Sequence, residues 1–399
     1  MIQNGPGNQR TPLPEGFGAY ATNSGVRKYR PDLGVIVSDR PAKAVAVYTQ
    51  NTCQSNHIKY CQKVLPTDGL RVLICNSGQA NTATGQQGYQ DNLDMITEIA
   101  RRFDVRPDQV VSASTGIIGV RIQLDKIVSS FGDLLMHKSG HAESFATAIM
   151  TTDLVPKTAT TLVSLSGGQV RITGVCKGSG MIHPNMATML GYLFTDADVE
   201  LNWLADTLRA VTDDSFNMIS VDGETSPNDT VFAVANGCSG VKVEKPEDRA
   251  LFMSSLMSVA KQLAKSIARD GEGATKLLEV SVNGMPDVML ARKVARSIVT
   301  SPLVKTAVHG GDPNWGRIYS RIGQEGVPFE IVQNLDLFIG EVAILKAGEP
   351  LAMDYYKIRM GLAEDEVKVA LDFHSGDKAA VAWGCDLTKK YVDINTEYN

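Results

Sequence analysis

Apolar residues recur at intervals of three and four along several stretches of the chain, which places them on one face of a helix. In one stretch Asp91 can cap a helix whose apolar face carries Ile96, Ile99 and Phe103. Three further stretches share the spacing: Leu124, Ile127, Phe131 and Leu135; Leu201, Leu204, Leu208 and Val211; and Phe252, Leu256, Val259, Leu263 and Ile267. The pattern therefore predicts four amphipathic helices.

Short continuous apolar runs lie between these helices and are typical of buried strands. Residues 70–75, 109–112 and 189–194 form such runs, and residues 367–392 resemble a hairpin that turns at Ser375, Gly376 and Asp377. Few helices with many glycine-marked turns favour an α/β or α+β fold, in which strands pack between helical layers.

Length and charge narrow the class of protein. The 399 residues can fill two or three domains or one large α/β unit. A net charge of −5 argues against a nucleic-acid-binding protein, which usually carries a basic surplus. We find neither a secretory h-region nor a run of apolar residues long enough to span a membrane, so we expect a cytoplasmic protein. The six cysteines lack CxxC spacing and are expected to be reduced, structural thiols.

The common catalytic and metal-binding signatures fail in this sequence. It contains no GxSxG elbow and no HExxH, and its six histidines form no convincing metal site. Gly178, Ser179 and Gly180 lack the third glycine of a dinucleotide-binding loop, because His183 stands in that place. We therefore expect no metal and look for a nucleophile outside these patterns.

A glycine-rich, proline-bearing loop runs into Thr188, which begins one of the apolar runs. The β-branch of a threonine restricts its first side-chain torsion, so its hydroxyl can be held toward the preceding carbonyl. Attack on the Ala187 carbonyl would give an ester that water cleaves, and the new α-amine of Thr188 could then serve as base for its own hydroxyl. A threonine at the start of a strand is usually only a strand residue, so the sequence pattern alone leaves both interpretations open.

Residues 177–190 (KGSGMIHPNMATML) resemble the self-cleavage site of the ornithine acetyltransferase family, the bifunctional glutamate N-acetyltransferases of the cyclic arginine pathway. Further blocks resemble the same family in the same order. They are residues 36–41 (IVSDRP), 76–81 (NSGQAN), 114–119 (STGIIG), 150–153 (MTTD), 220–223 (SVDG), 228–230 (NDT), 270–276 (DGEGATK), 312–317 (DPNWGR) and 391–395 (YVDIN). Agreement over nearly the whole chain identifies it as a member of that family.

The resemblance implies the fold and the catalytic residues. The family fold has stacked α-β-β-α layers, and cleavage between Ala187 and Thr188 would give an alpha fragment, 1–187, and a beta fragment, 188–399, that share one core. Thr188 matches the family's nucleophile, and Thr115 and Gly116 match its oxyanion hole. Without the resemblance, Ser114, Thr115 and Gly116 would be interpreted as a strand-ending turn.

The substrate-binding positions carried over are Lys177, Glu272, Asn395, Thr188 itself and one of Thr151 and Thr152. Lys177 can pair with a substrate carboxylate and Glu272 with a cationic amine. Without the resemblance they would be an exposed loop lysine and a helix-end carboxylate. Because neighbours on an extended chain face opposite ways, we expect only one of the two threonines to contact substrate.

The reaction implied is ping-pong transfer of an acetyl group from N-acetylornithine to glutamate through an acyl-threonine ester. It needs no cofactor, although some family members also accept acetyl-CoA as donor. Mature assemblies of the family are oligomers, and we expect a heterotetramer of two alpha and two beta fragments, without nucleic-acid or membrane partners.

Departures from the family pattern keep other functions open. Gln79, Thr82 and Pro227 replace commoner choices, and His183 stands where some relatives have a small residue, either as a loop residue or as an added titratable group. The chain ends at Asn399, where the family usually continues to a hydroxyl residue. The alternatives are a paralogue with another amino-acid acceptor, an amidohydrolase or aminopeptidase on the same scaffold, and an uncleaved binding protein.

Overall fold

The computed structural model describes the backbone of residues 3–4 and residues 10–183 and 189–397 in full. The chain divides into two compact units, each assembled from separate segments. Unit 1 consists of Met1–Gly178, Pro184–Asn217 and Thr225–Leu263, and unit 2 of Ser179–His183, Met218–Glu224 and Ala264–Asn399.

Strands and helices alternate along both units. The strands are β1 Gln3–Asn4, β2 Phe17–Thr22, β3 Leu33–Tyr48, β4 Thr67–Gln79, β5 Val110–Ile117, β6 Lys138–Ser139, β7 Lys157–Leu165, β8 Gly168–Lys177, β9 Leu190–Thr195, β10 Ile219–Ser220, β11 Thr230–Ala235, β12 Leu277–Met285, β13 Asp336–Ile339, β14 Val342–Lys346, β15 Glu349–Pro350, β16 Glu366–Asp372 and β17 Lys378–Cys385. The helices are α1 Asn56–Val64, α2 Gly85–Arg102, α3 Leu124–Ser129, α4 Phe131–Leu134, α5 Glu143–Ile149, α6 Leu201–Asp213, α7 Pro246–Arg269, α8 Val288–Thr300, α9 Pro302–Gly310, α10 Gly316–Gln324, α11 Phe329–Val332, α12 Tyr355–Ala363 and α13 Lys389–Thr396. The predicted α/β class is confirmed.

Unit 1 is built on a mixed sheet of ten strands within the described residues, in the order β1-β7-β8-β9-β11-β3-β2-β6, with β4 and β5 branching from β3. The central strands β9 and β11 are buried along their whole length, as expected for strands covered on both faces. They run parallel with Tyr192 opposite Phe232, and these rings stack 5.5 Å apart. Phe145 of α5 meets Tyr192 edge-on, so helix and sheet share one aromatic core.

Unit 2 is built on a sheet whose described strands follow the order β10-β17-β12-β16-β13-β14-β15. The predicted hairpin over 367–392 is wrong, because β12 lies between β16 and β17 and pairs with both. The connection that contains the predicted turn crosses the end of β12, where Phe373 and Ser375 donate to the carbonyls of Asn283 and Gly284. The physical reason is that β12 is a buried central strand, whose backbone N–H and C=O groups are paired by a neighbouring strand at each edge.

The predicted helices are confirmed in α2, α6 and α7, with changes at some ends. Asp91 does not cap α2, which begins at Gly85; its buried carboxylate instead lies 2.7 Å from the Arg121 guanidinium. The predicted helix from Leu124 is interrupted at Ser130 and forms the short helices α3 and α4. Among the described helices, none combines the length and the hydropathy needed to cross a membrane.

Truncating the centre of β12 should destabilise unit 2. Leu278→Ala removes a side chain that is 0% exposed and leaves a cavity, so we expect the free energy of unfolding to fall by about 2–5 kcal/mol. Leu303→Ala is the matched control, because Leu303 is 62% exposed and should change that free energy little. Urea denaturation followed by circular dichroism measures both, and equal effects of the two variants would contradict the central position of β12.

Candidate active site

Thr115 and Gly116 lie near the end of β5, next to the parallel strand β4. Gly116 stands opposite Gly78 in the ladder, and both have positive φ, 129° and 115°. A Cβ on Gly116 would lie 2.3 Å from the carbonyl carbon of Gly78, so only glycine allows this approach. The strand continues to Ile117, so these residues are not a strand-ending turn. Thr115 is buried, and its hydroxyl hydrogen-bonds to none of the described residues.

Asn228 holds the Thr115 segment beside the start of β9. Its amide nitrogen donates to the Ser114 carbonyl at 2.8 Å, and its amide oxygen accepts from the Thr82 hydroxyl at 2.6 Å. Two residues later, the Thr230 N–H donates to the Met189 carbonyl at 3.0 Å, at the point where β11 and β9 begin to pair. Unit 1 therefore places Thr115 and Gly116 near the N-terminal end of β9.

Lys177 reaches the same place from the other side of β9. It ends β8, stands opposite Leu190 in the antiparallel ladder and is buried, so it is not an exposed loop lysine. Asp153 accepts from the Lys157 ammonium and from the Gly178 N–H, each at 2.7 Å. Burial opposes ionisation of Asp153, but the charges of Lys177 and Lys157 outweigh it and hold its pKa well below the usual range.

Thr151 and Thr152 lie just after α5 and are tied to Asp153. The Thr151 N–H donates to Asp153 Oδ2 at 2.9 Å, and Arg27 donates to the carbonyls of Met150 and Thr151. Both threonines occupy bends rather than an extended strand, so the expected alternation between opposite faces has no structural basis here. Which of them contacts substrate stays a prediction.

Sequence reasoning missed several buried polar residues around this site. Asp153, Asn228 and Asp229 lie inside the family-like blocks, which was the available signal, but no role was assigned to them. No sequence pattern indicated that His57 would lie near the site. It is fully buried between the hydroxyls of Ser55 (2.9 Å to Nδ1) and Thr230 (3.3 Å to Nε2), and burial lowers its pKa to about 3.

Unit 2 brings Glu272 and Asn395 together. Asn395 Nδ2 donates to Glu272 Oε2 at 2.8 Å, and Glu272 is buried in the turn that follows α7 rather than exposed at a helix end. Helix α13 approaches closely because Gly273 lacks a side chain: a Cβ there would lie 2.6 Å from the Tyr391 nitrogen. Gly180 allows a second close approach, since a Cβ would lie 2.3 Å from the Glu272 carboxylate.

His183 also belongs to unit 2 and has defined partners. Its Nδ1 lies 3.2 Å from the Ser220 hydroxyl, and its Nε2 lies 3.2 Å from an Arg296 nitrogen. Burial, aided by the charge of Arg296, lowers the pKa of His183 to about 4, so the imidazole is neutral near pH 7. The residue is therefore a packed, neutral histidine and not a solvated loop side chain.

Ala187 and Thr188, the predicted cleavage site and nucleophile, lie outside the described residues. The structure places the other predicted residues of unit 1, Thr115, Gly116, Lys177 and the Thr151–Thr152 pair, around the start of β9. It places Glu272 and Asn395 in contact within unit 2.

Comparison with known proteins gives consistent matches. The sequence model of the ArgJ family matches residues 18–399. The arginine biosynthesis bifunctional protein ArgJ of Bacillus cereus is 44% identical over 389 residues, covering 96% of this chain and 95% of that protein. The protein of the same name from Oceanobacillus iheyensis is 43% identical over 394 residues, covering 98% and 96%. A crystal structure of arginine biosynthesis bifunctional protein ArgJ from Bacillus halodurans is 44% identical, with a TM-score of 0.50, and covers 52% of this chain and 99% of that chain.

The buried His57 should make unit 1 sensitive to acid. The unfolded chain binds a proton on His57 below about pH 6.5 but the folded chain only below about pH 3, so unfolding takes up a proton between these values. The free energy of unfolding should therefore fall as the pH drops from 6.5, by at most about 1.4 kcal/mol per pH unit from this group. Denaturation of wild type and His57→Gln at pH 7 and pH 5 measures the difference. If the free energy of unfolding depended on pH equally in both proteins, the lowered pKa of His57 would be contradicted.

Proposed function

The chain belongs to the ArgJ family, the bifunctional acetyltransferases of arginine biosynthesis, and we propose that it moves an acetyl group from N-acetylornithine to glutamate through an ester on Thr188. The observation that carries the proposal is the arrangement in unit 1. Thr115 and Gly116 approach the start of β9 from one side and Lys177 from the other, and Thr188 stands two residues before Leu190 in the sequence.

The reaction begins with self-cleavage. The Thr188 hydroxyl oxygen attacks the Ala187 carbonyl carbon, the bond from that carbon to the Thr188 nitrogen breaks, and the hydroxyl proton passes to the nitrogen. Water then hydrolyses the ester, which leaves a carboxylate on Ala187 and a free amine and hydroxyl on Thr188. The amine is the base in the later steps, so the hydroxyl has its own α-amine as base only after the cut.

Two observations support fragments 1–187 and 188–399 that share one core. Strand β8 precedes the proposed cut and β9 follows it, yet they are neighbours in the sheet of unit 1 and pair from Ile172 to Lys177. The solved Bacillus halodurans chain is covered almost completely by about half of this chain, which is the relation expected of a mature fragment.

Acetyl transfer takes two half-reactions on the same hydroxyl. The Thr188 oxygen attacks the acetyl carbonyl of N-acetylornithine, its proton passes through the α-amine to the leaving nitrogen, and ornithine departs. The amine of glutamate then attacks the ester carbonyl, the bond from that carbon to the Thr188 oxygen breaks, and a proton from the attacking amine passes to that oxygen, which gives N-acetylglutamate and restores the hydroxyl. In both steps the Thr115 hydroxyl and the Gly116 N–H donate to the oxyanion. The hydroxyl of Thr115 suits this role, because it makes no hydrogen bond to another described residue.

Buried charge supports an amino-acid substrate. The charges of Lys177 and Lys157 lower the pKa of Asp153 against the effect of its burial, whereas burial raises the pKa of Asp229 well above its ordinary value. The ammonium group of Lys177, at the end of β8 and opposite Leu190 at the start of β9, suits the carboxylate of an amino acid. In unit 2, Glu272 offers the opposite charge for a cationic amine, and Asn395 orients its carboxylate.

The remaining parts of the proposal concern donor, assembly and location. We propose acetyl-CoA as an additional donor and a heterotetramer of two alpha and two beta fragments. We also place the reaction in the cytoplasm, where the free cysteines, four of them buried, would stay reduced.

Replacing the nucleophile should abolish both reactions. Thr188→Ala should remain a single polypeptide on a denaturing gel and form no N-acetylglutamate, because the attacking oxygen is missing. Thr188→Ser is the matched control, since it keeps the hydroxyl and should still be cut. Release of acetate without transfer to added glutamate would instead indicate a hydrolase.

Removing the oxyanion donor should slow the chemistry without unfolding the protein. Thr115→Val keeps the side-chain shape, and we expect kcat for acetyl transfer to fall by about 10²–10³-fold with little change in melting temperature. Thr161→Val is the matched control, because Thr161 lies on β7 and is equally buried, at 8% exposed. A wild-type kcat in Thr115→Val would show that the Thr115 hydroxyl is not an oxyanion donor.

A further inference from the structure

The segment Ser179–His183, which precedes the proposed cut, is fixed at each end to unit 2. The Ser179 hydroxyl donates to the Asp270 carbonyl at 2.7 Å, and the Ser179 carbonyl accepts from the Glu272 N–H at 3.1 Å. At its far end the Ile182 carbonyl accepts from the Val221 N–H at 2.7 Å. These bonds hold the two ends of the segment. None of them involves the N–H groups of Met181 and Ile182.

Asp222 supplies that acceptor. Its Oδ2 accepts from the Met181 N–H at 2.7 Å and its Oδ1 from the Ile182 N–H at 2.9 Å. One carboxylate therefore binds two successive amides, a charge-assisted arrangement stronger than two neutral hydrogen bonds. Met181 has a φ of 55°, in the left-handed region that a methionine rarely adopts, so this backbone shape depends on the contacts that hold it. The Tyr391 hydroxyl also donates to Oδ2, at 3.4 Å.

The same segment leads into the scissile bond. It ends at His183, and on the other side of Thr188 strand β9 begins at Leu190, held by β8 and β11. Attack of the Thr188 oxygen on the Ala187 carbonyl needs the two atoms in a narrow range of distance and angle. Fixing the chain upstream as well as downstream of the cut reduces the conformations that must be searched before attack.

We propose that Asp222 is a positioning residue for self-cleavage: by binding the amides of Met181 and Ile182, its carboxylate fixes the upstream arm of the scissile segment. The proposal rests on the proposed function, because it presumes a cut before Thr188. It gives Asp222 no contact with the reacting atoms. The rate of cleavage should therefore depend on Asp222, whereas acetyl transfer per cut molecule should not.

A processing time course tests this directly. Full-length chains are made in a cell-free translation reaction with a labelled amino acid, and the uncut fraction is followed on denaturing gels. Asp222→Asn exchanges one acceptor oxygen for a donor, and we expect cleavage to slow by about ten- to a hundredfold, as loss of a charge-assisted hydrogen bond implies. Transfer activity, normalised to cut protein, should equal that of the wild type.

Asp336→Asn is the matched control. Asp336 is another carboxylate of unit 2 that accepts a backbone amide, from Ala347 at 2.8 Å, but it is buried, whereas Asp222 is half-buried, and it holds a different turn. This variant should be cut at the wild-type rate even if its melting temperature falls. Equal slowing of both variants, or unchanged cleavage of Asp222→Asn, would overturn the proposal.

Ser179→Ala keeps the test decisive if Asp222→Asn does not fold. It removes only the hydroxyl bond to Asp270 and should also slow cleavage, whereas an unchanged rate would show that anchoring of the segment is irrelevant. Failure of this proposal can be distinguished from failure of the proposed function. A wild-type chain that stays uncut would refute self-cleavage itself, whereas a wild-type chain that is cut at the same rate as Asp222→Asn would refute only the role of Asp222.

Discussion

The ladder between β8 and β9 is the constraint on which the rest of the site depends. The strands that flank the proposed cut are hydrogen-bonded neighbours, although the chain between them contributes Ser179–His183 to the other unit. A break in that connection leaves every bond of the ladder in place. The new chain end at Thr188 is then only two residues from Leu190, which β8 and β11 hold from both sides. The strand that follows Thr188 would therefore keep its place in the sheet after the proposed cut.

The same ladder explains which side chains meet there. Lys177 stands opposite Leu190 because the register places it there, and Asn228 ties the Ser114 carbonyl to the segment that leads into β11. The pairing of Gly78 with Gly116 allows β4 and β5 to approach at this point. Backbone pairing therefore assembles the proposed oxyanion donors and Lys177, and rigid elements of this kind hold a site more accurately than loops do.

Buried charged groups occur in the predicted site residues of both units. In unit 1 two ammonium groups share one ionised carboxylate, and in unit 2 Glu272 is bound to a neutral amide. Buried charged groups favour ligand groups of opposite charge. The proposed roles follow from charge: Lys177 would pair with a substrate carboxylate and Glu272 with a cationic amine.

The local pattern of the sequence predicted α6 and α7 well, because their apolar spacing is regular and packing follows it. The local pattern failed where strands that are distant in sequence pair with one another. Strand β12 lies between β16 and β17, and no feature within residues 367–392 indicates that a strand from another part of the chain lies there. Asp91 was misjudged for a similar reason, since its partner Arg121 is remote in sequence. The candidate site came from the resemblance and not from periodicity. Burial of Lys177 and the roles of Asp153 and Asp222 required the structure, because a carboxylate that binds amides looks the same in sequence as a solvated one.

The most direct test of the account is mass spectrometry of the fragment that begins at Thr188, after purified protein has reacted with N-acetylornithine in the absence of glutamate. The account predicts that this fragment gains the mass of one acetyl group, located on Thr188, and loses it when glutamate is added as N-acetylglutamate forms. A fully active preparation that remains one uncut polypeptide, or whose Thr188 never carries the acetyl group, would contradict it.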